Sequence, residues 1–70
     1  MEYTVFCEWD PEAGVWYSES DQIPIGLESP SLDRLIEKVR MAAPELAELN
    51  GLPLPSSLSF VTQAAKRATA

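Results

Sequence analysis

Leu32, Leu35, Ile36, Val39, Ala43 and Leu46 recur at spacings of three and four. On a helix of 3.6 residues per turn they share one stripe, and a stripe of that kind needs a surface to cover it. The ends of the stretch are marked. Ser31 is suited to the N-cap, where its hydroxyl accepts from a free N–H of the first turn, and Asp33 places negative charge where the helix dipole favours it. Gly51, after Asn50, supplies the left-handed conformation common just past a helix C-terminus. Pro44 interrupts the pattern: it has no N–H for the Arg40 carbonyl and clashes with it, at a cost of about 3 kcal/mol in an undistorted helix. A kink or a restart is therefore expected, with Pro44 in the first turn of a second segment, Glu45 to Leu49.

The surface that receives the helix is expected to be a sheet. Glu2 to Trp9 is rich in aromatic and β-branched residues and reads as a first strand. Tyr3, Val5, Cys7 and Trp9 fall on one face of it, and Thr4, Phe6 and Glu8 on the other. Asp10-Pro11-Glu12-Ala13-Gly14 has the residues of a tight turn. Val15 to Ser20 then returns antiparallel, with a register that the turn alone does not specify. Pro24 marks a strand end or an edge in the connector Asp21 to Gly26. A brief third strand is expected around Leu27, a stiff extended crossover over Leu52 to Ser57, and a last strand over Leu58 to Gln63. Ala64 to Ala70 is expected to extend that strand and then fray.

The resulting order, β-β-β-α-β, is an α+β arrangement: a small, antiparallel-rich sheet with one helix on one face. With 70 residues it is one domain, 1–70, and a core this small is marginal alone. Strand one offers bulky residues to both sides, yet no second helix is available for the reverse face. An assembly is therefore expected, a homodimer in its simplest form.

Composition excludes several function classes. The net charge of −6 opposes direct nucleic-acid binding, which cationic side chains drive, and favours a basic protein partner. No apolar run approaches the roughly 20 residues of a membrane span. The acidic start does not read as a signal peptide, and the single cysteine permits no internal disulfide, so a cytoplasmic location is expected.

The chain has no histidine, which removes the usual general base and the commonest metal ligand. Cys7 lies mid-strand without a basic neighbour and reads as a buried hydrophobe. Gly14, Gly26 and Gly51 are dispersed and form no phosphate-cradling loop. Glu8, Asp10, Glu12, Glu19 and Asp21 gather near one hairpin, where a hard cation is conceivable, but as turn formers and edge charges they need no metal. No catalytic residue, cofactor or metal is expected. Arg34, Lys38 and Arg40 alternate with Asp33 and Glu37, as on an ordinary solvated helix face. Trp9 and Trp16 flank the turn and read equally as core or as exposed interface anchors. With Tyr3, Phe6, Tyr17 and Phe60 they are the candidate interface residues.

Trp9-Asp10-Pro11-Glu12-Ala13-Gly14-Val15-Trp16, Ser20-Asp21-Gln22-Ile23-Pro24, Ser31-Leu32 with Leu35-Ile36-Glu37, Pro44-Glu45-Leu46 and Asn50-Gly51 together resemble a small prokaryotic family of unknown function with a HicB-like fold. The resemblance spans nearly the whole chain. It implies a degraded ribonuclease H-like unit, similar to the N-terminal domain of HicB antitoxins, which binds and blocks HicA, a small basic RNA-cleaving toxin. It also implies that Asp10 and Asp21 are fold residues, since the positions matching the ribonuclease H carboxylates do not supply that set. Relatives often run Pro-Gly directly where this chain has Ile23-Pro24-Ile25-Gly26-Leu27, so a displaced third strand is expected. The expected function is a non-enzymatic interaction module, a HicB-like antitoxin or a stand-alone relative. The rivals are a structural or regulatory homo-oligomer without a toxin and, with the least support, a metal-dependent nuclease using Glu8, Asp10 and Asp21.

Overall fold

A computed structural model describes residues 1–64. Strand β1 runs Glu2–Asp10, β2 Val15–Glu19, β3 Glu28–Ser29 and β4 Ser57–Ala64, and the helix α1 spans Leu32–Leu49. The strands form one sheet in the order β3-β2-β1-β4. Antiparallel pairs join β1 to β2 and β2 to β3, whereas β4 runs parallel to β1. The sheet is thus mixed, within the expected α+β layout. The tail expected to continue the last strand falls, after Ala64, outside the described residues.

The hairpin turn is built as its residues suggest. Asp10 Oδ1 accepts from the N–H groups of Glu12 and Ala13 at 3.0 and 3.3 Å, and the Gly14 N–H closes the turn on the Asp10 carbonyl at 2.8 Å. Gly14 takes φ 70°, where a Cβ is disfavoured. The register follows as Trp9↔Trp16, Glu8↔Tyr17, Cys7↔Ser18 and Phe6↔Glu19. Beyond Glu19 the second strand departs. The backbone of Thr4 that it would have paired is satisfied by side chains: Gln22 Oε1 accepts from the Thr4 N–H at 2.7 Å and the Ser20 hydroxyl donates to the Thr4 carbonyl at 2.7 Å.

Both helix ends match expectation. Ser31 is the N-cap, its side chain accepting from the Arg34 N–H at 3.4 Å. At the other end Gly51 has φ 66°, and the N–H groups of Gly51 and Leu52 bond the carbonyls of Glu48 and Ala47, the paired closure of a Schellman motif. The expected restart at Pro44 is absent, for the helix is continuous from Leu32 to Leu49 with Pro44 inside it. Arg40 and Pro44 both lie on the exposed side, so water can take the carbonyl bond that Pro44 forgoes.

The helix covers the face of the sheet that carries Tyr3, Val5 and Cys7, and these join Leu35, Val39, Ala43 and Ala47 in the core. The buried line is therefore Leu35-Val39-Ala43-Ala47, with Leu32 and Leu46 at its margins. Ala47, absent from the expected stripe, is fully buried as a member of the same core. Two further core residues, Ile23 and Ile25, come from the connector. Ser18, itself buried, holds that connector: its hydroxyl donates to the Ile25 carbonyl at 3.1 Å and accepts from the Leu27 N–H at 3.0 Å. The crossover is tied to the start of β1, since the Tyr3 hydroxyl donates to the Pro53 carbonyl and the Ser56 N–H to the Met1 carbonyl.

Candidate functional site

The register divides the sheet into two unlike faces, because directly opposed residues share a side. Away from the helix lie Glu2, Thr4, Phe6, Glu8 and Asp10 of β1, Val15, Tyr17 and Glu19 of β2, Glu28 of β3, and Ser59 and Val61 of β4. Phe6, Val15 and Tyr17 are half-buried there, and Val61 is 41% exposed. Among the described residues no element lies over this face. It is an apolar strip, Val61-Phe6-Tyr17-Val15, bordered by the carboxylates of Glu2, Glu8, Asp10, Glu19 and Glu28.

The cations of the described residues sit elsewhere: Arg34, Lys38 and Arg40 all belong to α1, on the other side of the sheet. Among the described residues the side-chain charges are thus separated, negative on the open face and mixed on the helix. Tyr17 stands among the carboxylates of the open face. Its hydroxyl donates to Glu8 Oε1 at 2.5 Å. That bond, some desolvation, and the charges of Glu8, Glu19 and Asp10 push its phenol up to about 12. Glu2 accepts from the Ser59 hydroxyl at 2.6 Å, linking the outer strand to the same surface.

The six aromatic candidates separate between the two sides. Phe6 and Tyr17 stand on the open face. Tyr3 does not serve as an exposed anchor: it is 1% exposed, in the core, with its hydroxyl spent on Pro53. Trp9 and Trp16 share the helix side, half-buried, with ring centroids 5.7 Å apart at 55°. Phe60 packs on the core from the same side, with the Arg40 guanidinium carbon 5.4 Å above its ring. The sequence alone did not single out Val61 or Val15, and it grouped Glu8, Asp10 and Glu19 near the hairpin without Glu2 and Glu28. Alternation along β1 and β2 carried part of that signal, but the side taken by β4 depended on its pairing.

Among the described residues no group of three or more carboxylates, cysteines or histidines is placed to hold a metal, and Asp10 is occupied by the hairpin turn. Cys7 is fully buried, and burial pushes its thiol up, away from the thiolate form that reacts. Two shallow surface grooves flank the helix, one of about 450 Å³ lined by Leu27, Lys38, Met41, Ala42 and Glu45, the other of about 390 Å³ lined by Ser29, Pro30, Ser31, Arg34 and Lys38. Lys38 Nζ already donates to the Glu28 carbonyl, at 3.0 Å. Among the described residues no helix is long and apolar enough to cross a membrane.

Residues 2–70 match the model of a family described as a domain of unknown function, DUF1902. Among solved structures, the crystal structure of a hypothetical protein from the extremely thermophilic bacterium Thermus thermophilus is similar at 34% identity, over 100% of both chains, with a TM-score of 0.76. No curated protein matches.

Proposed function

The chain belongs to the DUF1902 family, and we propose that it is a non-enzymatic interaction module, a cytoplasmic HicB-like antitoxin or stand-alone relative that covers a surface of a small basic RNA-cleaving protein. The observation that carries this reading is the open sheet face, where five carboxylates border the strip of Phe6, Tyr17, Val15 and Val61. An apolar centre excludes water and supplies binding energy, while a charged rim speeds encounter and discriminates against wrong partners. The attraction of this face for cationic side chains rests on its carboxylates, of which Glu19 and Glu28 are exposed. Lysines and arginines that bind RNA phosphates are the same groups that such a rim would engage, so binding here would block RNA access.

The test is a pull-down from the native host with two baits, the wild type and the double variant Glu19→Lys, Glu28→Lys. Both positions are exposed, so the variant is expected to fold. The expected result is a small basic protein with RNA-cleaving activity that the wild type retains and the variant loses, and whose retention falls as salt screens the charges over roughly a Debye length of 10 Å or less. Recovery of the bait alone removes the toxin half of the reading. A second reading, a homo-oligomer without a toxin, is favoured by the outer edge of β4, unpaired among the described residues, and the two are compatible if the resting form is a homodimer.

A further inference from the structure

The two edges of the sheet differ in how they are protected. β3 contributes an edge of 2 residues and runs directly into Pro30. β4 contributes 8 residues, Ser57-Leu-Ser-Phe-Val-Thr-Gln-Ala64, or roughly 26 Å at about 3.3 Å per residue. Its inner side is paired to β1 along its whole length. Among the described residues nothing pairs with its outer side. An edge of this length is ordinarily blunted by a lysine, a proline, an inward charge or a bulge, because its free N–H and C=O groups template another strand. β4 has no charged residue and no proline.

We infer that two copies of this chain join through their β4 strands, antiparallel about a two-fold axis normal to the sheet, into one continuous sheet. The occupant is a second copy because an antiparallel pair of identical strands is self-complementary and closed, and because an uncharged edge brings no like charges together. The open face is ill suited to self-association, since it would oppose Glu2, Glu8, Asp10, Glu19 and Glu28 to themselves. Opposed residues must share a face, so the pairing joins positions of equal parity, and the greatest overlap that this allows puts the axis beside Phe60 or Val61. Both helices then lie on one side and both acidic faces on the other, which doubles the surface offered to a basic partner. The inference rests on the homodimer half of the proposed function and is independent of the toxin.

Analytical ultracentrifugation of the full chain tests it, with Val61→Lys at the seam and Glu19→Lys on the open face but two strands away. The expected result is a concentration-dependent dimer whose dissociation constant rises about tenfold or more in Val61→Lys, where like charges lie directly opposite or diagonal across the seam in either register, and stays unchanged in Glu19→Lys. Hydrogen exchange of the wild type supplies a second readout that needs no variant: β4 amides are expected to slow as concentration rises. A monomer at every concentration refutes the homodimer. A dimer that ignores Val61→Lys, responds to Glu19→Lys, or leaves β4 amides unslowed refutes the seam.

Discussion

Ser18→Ala is expected to be the most damaging small change in the molecule relative to the atoms removed. The Ser18 side chain is buried, at 3% exposure, and one hydroxyl serves two backbone groups, the Ile25 carbonyl at 3.1 Å and the Leu27 N–H at 3.0 Å. Removing it leaves a donor and an acceptor without partners in a region that also buries Ile23 and Ile25. An unsatisfied buried group costs about 1–3 kcal/mol, so the pair together is worth roughly 2–3 kcal/mol after local relaxation. A domain of this size holds a total of about 3–10 kcal/mol at ~0.05–0.15 kcal/mol per residue. The loss thus consumes a large share of it and lowers the melting temperature by on the order of 10–20 °C. Urea denaturation followed by fluorescence of Trp9 and Trp16 measures it, with a lower midpoint and an unchanged slope. Ser29→Ala is the matched control: it is equally buried, but its hydroxyl accepts only the Ser31 N–H, at 3.3 Å, and about 1 kcal/mol is expected. A Ser18→Ala loss below about 0.5 kcal/mol, the range of neutral surface changes, would refute the reasoning, as would unaltered hydrogen exchange at the Leu27 amide.

Pro44→Ala restores an N–H opposite the Arg40 carbonyl on the exposed side of a continuous helix, and is expected to stabilise the fold by about 1–3 kcal/mol; a lower thermal midpoint would show that the proline fits the helix without cost. The Tyr17 phenol, pushed up to about 12 in the fold against about 10 when unfolded, contributes stability that is complete below pH 10 and disappears as pH rises towards 12, because the unfolded chain loses the proton first. Phenolate absorbance in a Tyr3→Phe background reads this titration directly, and Glu8→Gln, which removes the acceptor's charge, is expected to lower it; titration at the ordinary phenol value with Glu8 intact would contradict the Tyr17–Glu8 hydrogen bond.

The features legible in the sequence were those set by near neighbours. Ser31, Asn50-Gly51 and the three-and-four spacing specified a helix, its cap and its stop, because helical periodicity and chirality act within a few residues. Asp10 and Gly14 specified the hairpin turn for the same reason. Harder cases were those in which a local rule met a tertiary circumstance. Pro44 reads as a break, yet exposure of the Arg40 and Pro44 side of the helix lets the chain continue. Ala47 follows Ala43 by four residues on the same line, yet only packing decides that it, rather than the bulkier Leu46 beside it, is fully buried. Ser18, Ile23 and Ile25 carry no motif, and their roles arise from a connector that folds back over the core.

What the sequence determined alone is the inventory: one amphipathic helix, a hairpin, further strand segments, and an excess of acidic over basic side chains. Which residues meet was decided by the tertiary structure. Strand side chains alternate with a period of two, so a shift of one residue in pairing exchanges the faces completely. The parallel pairing of β4 with β1 placed Phe60 under Arg40 and Val61 beside Phe6. The β1–β2 and β2–β3 registers gather the carboxylates on one face, while the β4 register, set by a crossover anchored through Tyr3 and Ser56 far along the chain, adds Val61 to the apolar strip and leaves one long strand edge open.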